Sequence, residues 1–361
     1  MVAKSLHAVA RRASAASTGR TVLVFGANGF IGHHLVRRIL RSTRWRVIAN
    51  DIRDARLAEF QGAARFEFIR GSIGNRAFVE RLVRRADVVL PLAGIATPQT
   101  YIHEPIRVFE LDFEDNLEIV RLCVAHEKRV IWPSTSEVYG MNTDKQFHPE
   151  RSHLVLGPIN MCRWIYAASK QLIDRIIWSY GRDNGLDYTI FRPFNWIGYG
   201  QDDIHAKTTN ARVLTRFLGN ILRGENLTLV DGGSNRRSFT YIDDGIDALV
   251  RIIDNKNGIA SGKIYNIGNP NNNRSILELA KLALELAPRY RYFRDRAASV
   301  RIVNVTSSRH YGEGYQDMVN RTPFVGNTRR ELGWRPRVTL RRALERTYEA
   351  YVEELAGERR V

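Results

Sequence analysis

Tyr166 and Lys170 stand four residues apart in Tyr166-Ala167-Ala168-Ser169-Lys170, a spacing that puts both on one face of a helix. A phenol titrates at about 10 in water, so it acts as a base at neutral pH only beside a cation that stabilises the phenolate. Lys170 is expected to be that cation. Earlier in the chain, Ser134-Thr135-Ser136-Glu137-Val138-Tyr139-Gly140 follows the apolar run Val130-Ile131-Trp132. Such a run reads as a buried strand, so Thr135, Ser136 and Glu137 would face the crevice where open α/β sheets bind ligands. A tyrosine and a lysine sharing a helix face are, alone, a common accident.

A second pattern removes that reading. Gly26-Ala27-Asn28-Gly29-Phe30-Ile31-Gly32 follows the strand-like Val22–Phe25 and opens the helical pattern Ile31–Arg41. Glycine permits a tight turn and close backbone approach to a pyrophosphate, and the helix N-terminus adds its positive end. The next strand ends at Asp51, whose carboxylate can bond both hydroxyls of an adenosine ribose and would repel a 2′-phosphate, which favours NAD over NADP. Arg53 and Arg56 pull the other way. Asp51 could instead cap the segment starting near Ala55.

These residues need a scaffold that gathers strand ends. Val22–Phe25, Val47–Asn50, Phe66–Ile69, Val88–Leu92, Val130–Trp132 and Tyr188–Phe191 alternate with helical patterns. That alternation predicts an α/β fold, a Rossmann-like doubly wound parallel sheet whose following loops share one edge. After Phe194 the elements shorten: a helix near Ala211–Arg223, a strand Leu227–Val230, a helix near Asp243–Ile253 and a strand Ile264–Ile267, with turns at Gly232-Gly233, Gly268-Asn269-Pro270 and Gly312-Glu313-Gly314. The expected organisation is a basic disordered tail over 1–20, an NAD-binding Rossmann domain over 21–195, and a smaller substrate lobe over 196–361 that returns in part to the first domain. No internal repeat is visible.

The 361 residues, 44% of them hydrophobic, suffice for a sizeable core. No apolar run reaches the roughly 18 residues of a membrane span. Cys123 and Cys162 are too few for a disulfide framework, and a reducing cytoplasmic setting fits them. Met1–Arg20 contain no acid and resemble a transit peptide in composition, though a disordered extension fits as well. The net charge of +17 raises the question of nucleic acid. Its arginines are scattered over many helices without a nucleic-acid-binding signature, so no nucleic-acid partner is expected.

With the glycine spacing and the later Tyr-x-x-x-Lys, the chain resembles the extended short-chain dehydrogenase/reductase (NAD-dependent epimerase/dehydratase) family from about Thr21 to Glu354, including Leu332-Gly333-Trp334-Arg335-Pro336. The resemblance implies bound NAD, no metal, a UDP-sugar substrate and a homodimer. It implies that Gly26, Asn28, Gly29, Phe30, Ile31, Gly32, Asp51, Ile73, Leu92, Ala93 and Lys170 contact the cofactor. It also implies that Thr135, Tyr166 and Lys170 oxidise a sugar hydroxyl. Ser72 departs from an Asp frequent in the family, which weakens an adenine contact.

Ser136 and Glu137 then select the outcome. Related dehydratases have an Asp-Glu pair after the threonine, and many 4-epimerases lack the acid at position 137. Pro133–Gly140 instead resembles the motif of UDP-glucuronate decarboxylases. Arg163-Trp164-Ile165-Tyr166, Arg192-Pro193-Phe194-Asn195-Trp196-Ile197-Gly198, Asp231-Gly232-Gly233 and the segment from Gly312 to Asp317 are similar to the decarboxylase domain of bifunctional polymyxin-resistance proteins, which serve lipid A modification. Arg321 would then lie on a mobile loop, meet the substrate carboxylate and protonate the product enolate. Glu137 would orient the sugar or assist proton transfer. Tyr101, Arg163, Asn195, Arg212, Arg237 and Tyr315 would hold the nucleotide sugar. Plant-type UDP-apiose/UDP-xylose synthases share Arg-Trp-x-Tyr but carry two active-site cysteines where this chain has Ala96 and Ser136. The formyltransferase domain of the bifunctional relatives has no counterpart ahead of the first strand. A UDP-xylose synthase that returns the hydride, another UDP-sugar epimerase, and a non-catalytic NAD- and RNA-binding regulator are the competing readings; the intact Thr135, Glu137, Tyr166 and Lys170 oppose the last.

Overall fold

The computed structural model describes residues 19–207, 211–312 and 315–358. Seven strands form one parallel sheet: β1 (Thr21–Phe25), β2 (Arg46–Asp51), β3 (Phe66–Arg70), β4 (Val88–Pro91), β5 (Arg129–Pro133), β6 (Tyr188–Pro193) and β7 (Lys263–Ile267). Their spatial order is β7-β6-β5-β4-β1-β2-β3. The chain runs outward from β1 to β3, then crosses back to lay β4 against the other side of β1. That reversal opens a crevice beyond the carboxyl ends of β1 and β4, where ligands bind in sheets of this kind.

Six helices matter for the site: α1 (Phe30–Ser42), α2 (Arg76–Arg84), α3 (Asn116–Ala125), α4 (Trp164–Asn184), α5 (Val213–Arg223) and α6 (Ile242–Asp254). Strand side chains alternate between the two faces of the sheet. Val22, Val24, Val47, Ala49, Val88 and Leu90 pack against Leu35, Val36 and Ile39 of α1 and Ile246 and Leu249 of α6. Leu23, Phe25, Ile48, Val89, Val130 and Trp132 pack against Val79 and Leu82 of α2, Ile119 and Val120 of α3, and Ile173 and Ile177 of α4. Both faces are covered, which is why the strands read as continuous apolar runs.

The strand that the sequence places with the second lobe, Ile264–Ile267, joins the main sheet as β7, pairing Tyr265 with Phe191 and Ile267 with Pro193. It covers β6, which would otherwise be an open edge. The remaining strands form short pairs: Leu227–Val230 with Ile302–Val305, Arg236–Ser238 with Asn273–Ser275, and Trp196–Ile197 with Thr240–Tyr241. Residues from these pairs wall the cleft opposite the sheet. The basic tail before Gly19 and the turn residues Glu313 and Gly314 lie outside the described residues. No described helix is long and apolar enough to cross a membrane.

Candidate active site

A cleft of about 960 Å³ runs from the glycine loop, past the end of β5, to the elements after β6. The segment after β5, Ser134 to Gly140, is fixed from beneath. Asp174 of α4 accepts hydrogen bonds from Trp132 Nε1 (3.0 Å), Ser134 Oγ (2.8 Å) and Arg192 Nη2 (2.9 Å). Arg192 Nη1 donates to the Tyr139 hydroxyl (3.0 Å), which donates to Asn266 Oδ1 (2.7 Å), while Gln171 Nε2 donates to the Val138 carbonyl (2.8 Å). These buried bonds, in which only Arg192 Nε is left without a partner, tie Ser134 to Gly140 to the helix and strand beneath it.

Thr135, Tyr166 and Lys170 meet in the cleft as their spacing predicts. Thr135 Oγ1 accepts from the Glu137 amide at 3.1 Å, and its hydroxyl also hydrogen-bonds the Tyr166 phenol. Tyr101 stacks on Tyr166, ring centres 4.6 Å apart and planes within 6°. The expected effect of Lys170 on Tyr166 is not what the structure shows. Lys170 Nζ lies 3.4 Å from Asp112 Oδ1 and 4.3 Å from the centre of the Trp132 ring, but 5.8 Å from that of Tyr166. Burial, then the charges of Asp112 and Glu137, hold the Tyr166 phenol well above its ordinary value, against the Thr135 hydrogen bond. The helix brings the two side chains alongside, but the ammonium turns to the nearest buried carboxylate.

Asp112 escaped the sequence reading. It sits on a π-helical turn, Glu110–Asp115, is 1% exposed, and accepts the Ile95 amide at 2.9 Å. Burial raises Asp112 and lowers Lys170, and each is opposed by the charge of the other. Nothing in the chain links it to Lys170 by spacing, so no sequence signal marks it.

Glu137 lies between two guanidiniums, bonding Arg163 Nη2 at 2.6 Å and pairing with Arg321 Nη1. Arg237 Nη2 donates to both carboxylate oxygens of Asp317 at 2.7 Å, Asn235 Nδ2 and the Met318 amide donate to them at 3.0 and 2.8 Å, and Asp317 lies 3.5 Å from Arg321 and 3.8 Å from Arg163. Burial alone would raise both carboxyls; the surrounding arginines outweigh it and hold Glu137 and Asp317 below their ordinary values. Glu137 is therefore a carboxylate at neutral pH and no proton donor. Arg321 lies on a loop, as expected, but is 5% exposed and doubly paired there, because buried guanidiniums require counter-charges. That requirement is also the signal that could have marked Asp317.

The substrate candidates divide. Arg163 stacks on Trp164 and faces the Tyr315 ring, which in turn stacks on Tyr311 at 3.8 Å. Asn195 adopts φ +41°, and its buried Nδ2 has no partner, as expected of a ligand contact. Arg237 is consumed by Asp317 and the carbonyls of Arg236 and Met318, and Arg212 by Asp202 at 2.8 Å. Neither offers the free cation expected for a diphosphate.

At the other end, Gly26 has φ +71° and a Cβ there would lie 2.6 Å from the Ala93 amide nitrogen. A Cβ on Gly32 would strike the Gly26 carbonyl and come within 2.7 Å of Ala27 Cα. Gly29 precedes α1 without a side-chain cap, so the first amides of the helix are open to an anion. Gly26, Gly29, Phe30, Ile31, Gly32 and Leu92 line the cleft with Lys170. Asn28 and Asp51 brace it: the Asn28 amide donates to Asp51 Oδ2 at 3.0 Å and the Arg53 amide to Oδ1 at 3.1 Å. Asn28 Oδ1, not Asp51, accepts the Arg56 amide at 2.9 Å. Ala93 gives its carbonyl to Asn116 Nδ2 at 3.0 Å, and Ile73 is buried in the core. This cradle fits a dinucleotide. Among the described residues no group of three His, Cys, Asp or Glu could hold a metal.

Residues 22–268 match the family described as the NAD dependent epimerase/dehydratase family. Among solved structures, the chain is similar to the PbgP3 protein from Burkholderia pseudomallei, with 52% identity over 94% of this chain and 98% of that one, at a TM-score of 0.86. It is similar to dTDP-glucose 4,6-dehydratase DesIV from Streptomyces venezuelae, solved with NAD, with 26% identity over 93% and 98% and a TM-score of 0.77. It shares the fold of UDP-glucuronic acid 4-epimerase from Bacillus cereus, solved with UDP-glucuronic acid and NAD, with 23% identity over 93% and 99% and a TM-score of 0.77.

Proposed function

This chain belongs to the NAD-dependent epimerase/dehydratase family, with NAD as its cofactor, and from that premise we propose that it oxidises UDP-glucuronate at C4 and decarboxylates it to UDP-4-keto-pentose, CO2 and NADH. The observation that carries the reading is the position of Glu137. Its carboxylate is clamped by Arg163 and Arg321 beside the Thr135–Tyr166 pair. A cage of guanidiniums already fitted to a carboxylate suits a substrate that brings a second one. Ser136, where dehydratases carry an acid, leaves no group to protonate a departing hydroxyl.

NAD, when bound, accepts the hydride from C4 and brings a positive nicotinamide ring to the site. Thr135 orients the C4 hydroxyl, and Tyr166, whose phenol is held above its ordinary value by burial and by the charges of Asp112 and Glu137, takes its proton as the phenolate that the positive nicotinamide ring would stabilise. Lys170, kept charged by Asp112, holds the ribose side of the cofactor and the local field. The C4 ketone makes the sugar a β-keto acid, so the C5–C6 bond breaks with its electron pair moving into the new carbonyl. Arg321, exchanging Glu137 for the substrate carboxylate, orients that group for departure. The resulting enolate takes a proton at C5 from water, and the proton removed from the C4 hydroxyl passes from Tyr166 to solvent.

The experiment is to incubate the protein with UDP-glucuronate and NAD, following NADH absorbance and assigning products by NMR. NADH with 4-keto-pentose supports the proposal. UDP-xylose without net NADH supports internal return of the hydride, and UDP-galacturonate identifies an epimerase and refutes decarboxylation.

A further inference from the structure

Lys170 is 3% exposed, so its ammonium needs negative potential close by to stay charged. Three groups supply it. Asp112 Oδ1 on the π-helical turn lies 3.4 Å away, long beside the about 2.8 Å of a charge-assisted hydrogen bond. Asp174, one turn on along α4, adds its charge from further off. The third group is the indole of Trp132 in β5, whose ring centre lies 4.3 Å from Nζ, well inside the roughly 6 Å reach of a cation–π contact. The Tyr166 ring, at 5.8 Å, stands at the edge of that reach.

The indole is aimed as well as packed. Trp132 is fully buried, and strand alternation turns it to the face of the sheet that α4 covers, in one cluster with Ile173 and Ile177. Its Nε1 donates to Asp174 Oδ1 at 3.0 Å, and Asp174 is held in turn by Ser134 and Arg192. A carboxylate accepting from the N–H polarises the ring and makes the face turned to Lys170 more negative. Leucine or isoleucine would fill the same space and desolvate the ammonium equally, with no negative face in return. A ring face also attracts a cation without the fixed direction of a hydrogen bond. The ammonium is therefore free to turn between Asp112 and the cofactor side of the cleft that Lys170 lines, without leaving the indole.

We propose that Trp132 is a positioning residue for the oxidation, its indole face seating the Lys170 ammonium while that group is shared between Asp112 and the cofactor. That role rests on the reading of Tyr166 and Lys170 as the oxidising pair. A pH signature follows. Burial lowers Lys170 against the charges of Asp112 and Asp174, and a weaker ring face lets it fall further. Tyr166 responds to Asp112, Glu137, Thr135 and Arg212 and not to a neutral ring, so its limb of the profile stays in place. An enzyme with a weakened indole face thus loses activity on the alkaline side alone, whereas loss of the Asp112 charge moves both limbs.

The test replaces Trp132 with mono-, di- and trifluorotryptophan, which keep the shape of the ring and drain its face stepwise. Fluorine also makes the N–H a better donor to Asp174, so a loss along the series cannot come from that bond. Two quantities are read in the NAD-saturated protein: the titration of Lys170, by NMR of isotope-labelled lysine assigned with Lys170→Gln, and the pH profile of NADH formation from UDP-glucuronate. From tryptophan to trifluorotryptophan, the Lys170 titration and the alkaline limb are both expected to fall by about one pH unit, a tenfold change in the protonated fraction, with the acid limb and the thermal midpoint unchanged. Trp132→Phe keeps a ring and should fall less than Trp132→Leu. A Lys170 titration that stays constant along the fluorinated series, or one that is equal in Trp132→Phe and Trp132→Leu, overturns the inference. A Lys170 titration that follows the series in a protein that forms no NADH would leave the indole seat standing and sink the proposed reaction.

Discussion

Replacing Asp112 with Asn keeps the shape of the side chain and an acceptor for the Ile95 amide, but removes the charge that faces Lys170. At the observed 3.4 Å, two unit charges attract by ~5 kcal/mol at the effective dielectric of about 20 that describes protein sites. Part of this returns, because the variant no longer buries a carboxylate, so a net loss of about 3 kcal/mol of stability is expected. The catalytic effect is sharper. Lys170 is already lowered by burial and loses the charge that opposes it, so its deprotonation moves to lower pH. Tyr166, relieved of the Asp112 charge that raises it, also titrates lower. Activity requires Tyr166 deprotonated and Lys170 protonated, so both limbs of the pH profile shift the same way and the optimum becomes more acidic. The maximal rate should fall by roughly 10²-fold, the lower range of what a positioned acid–base group contributes. NADH formation from UDP-glucuronate across neutral to alkaline pH measures this, with thermal unfolding alongside. An Asp112→Asn enzyme of wild-type rate and unchanged optimum refutes the coupling of Asp112 to the catalytic pair.

Tyr166→Phe removes the base while keeping the ring stacked on Tyr101, and should abolish NADH formation with NAD affinity retained; residual oxidation within about 10-fold of wild type excludes Tyr166 as the base. Gly32→Ala forces a methyl group onto the Gly26 carbonyl, and should cost about 1–3 kcal/mol of stability and at least about 10-fold in NAD affinity by titration. Glu137→Gln leaves Arg163 and Arg321 short of a counter-charge, and should destabilise the protein by about 3 kcal/mol at neutral pH. The folded Glu137 titrates below its ordinary 4.5, so its contribution is present above that pH and lost as pH falls through the folded value. Denaturant unfolding of wild type and variant should therefore converge in acid, and a gap that stays constant from neutral pH to well below 4.5 argues against an ionised Glu137.

The sequence by itself determined the sheet, the glycine loop and the Tyr166–Lys170 helix face. Each is a local pattern: alternating apolar runs, glycine where the turn admits no side chain, and one helical turn between two reactive groups. Only the tertiary structure decided which charges compensate which. Asp112 reaches Lys170 from a distant helix, Asp317 pairs with arginines that the resemblance gives to substrate, and Arg216 meets His310 rather than a carboxylate among the described residues. Ion pairing in a buried site depends on distances of a few ångströms between segments far apart in the chain, and such distances leave no periodic trace in the residues. A pKa inherits that dependence: the Lys170 beside Tyr166 in sequence is turned to another partner in space, so the spacing located the pair on one helix face and the packing set the charges around it.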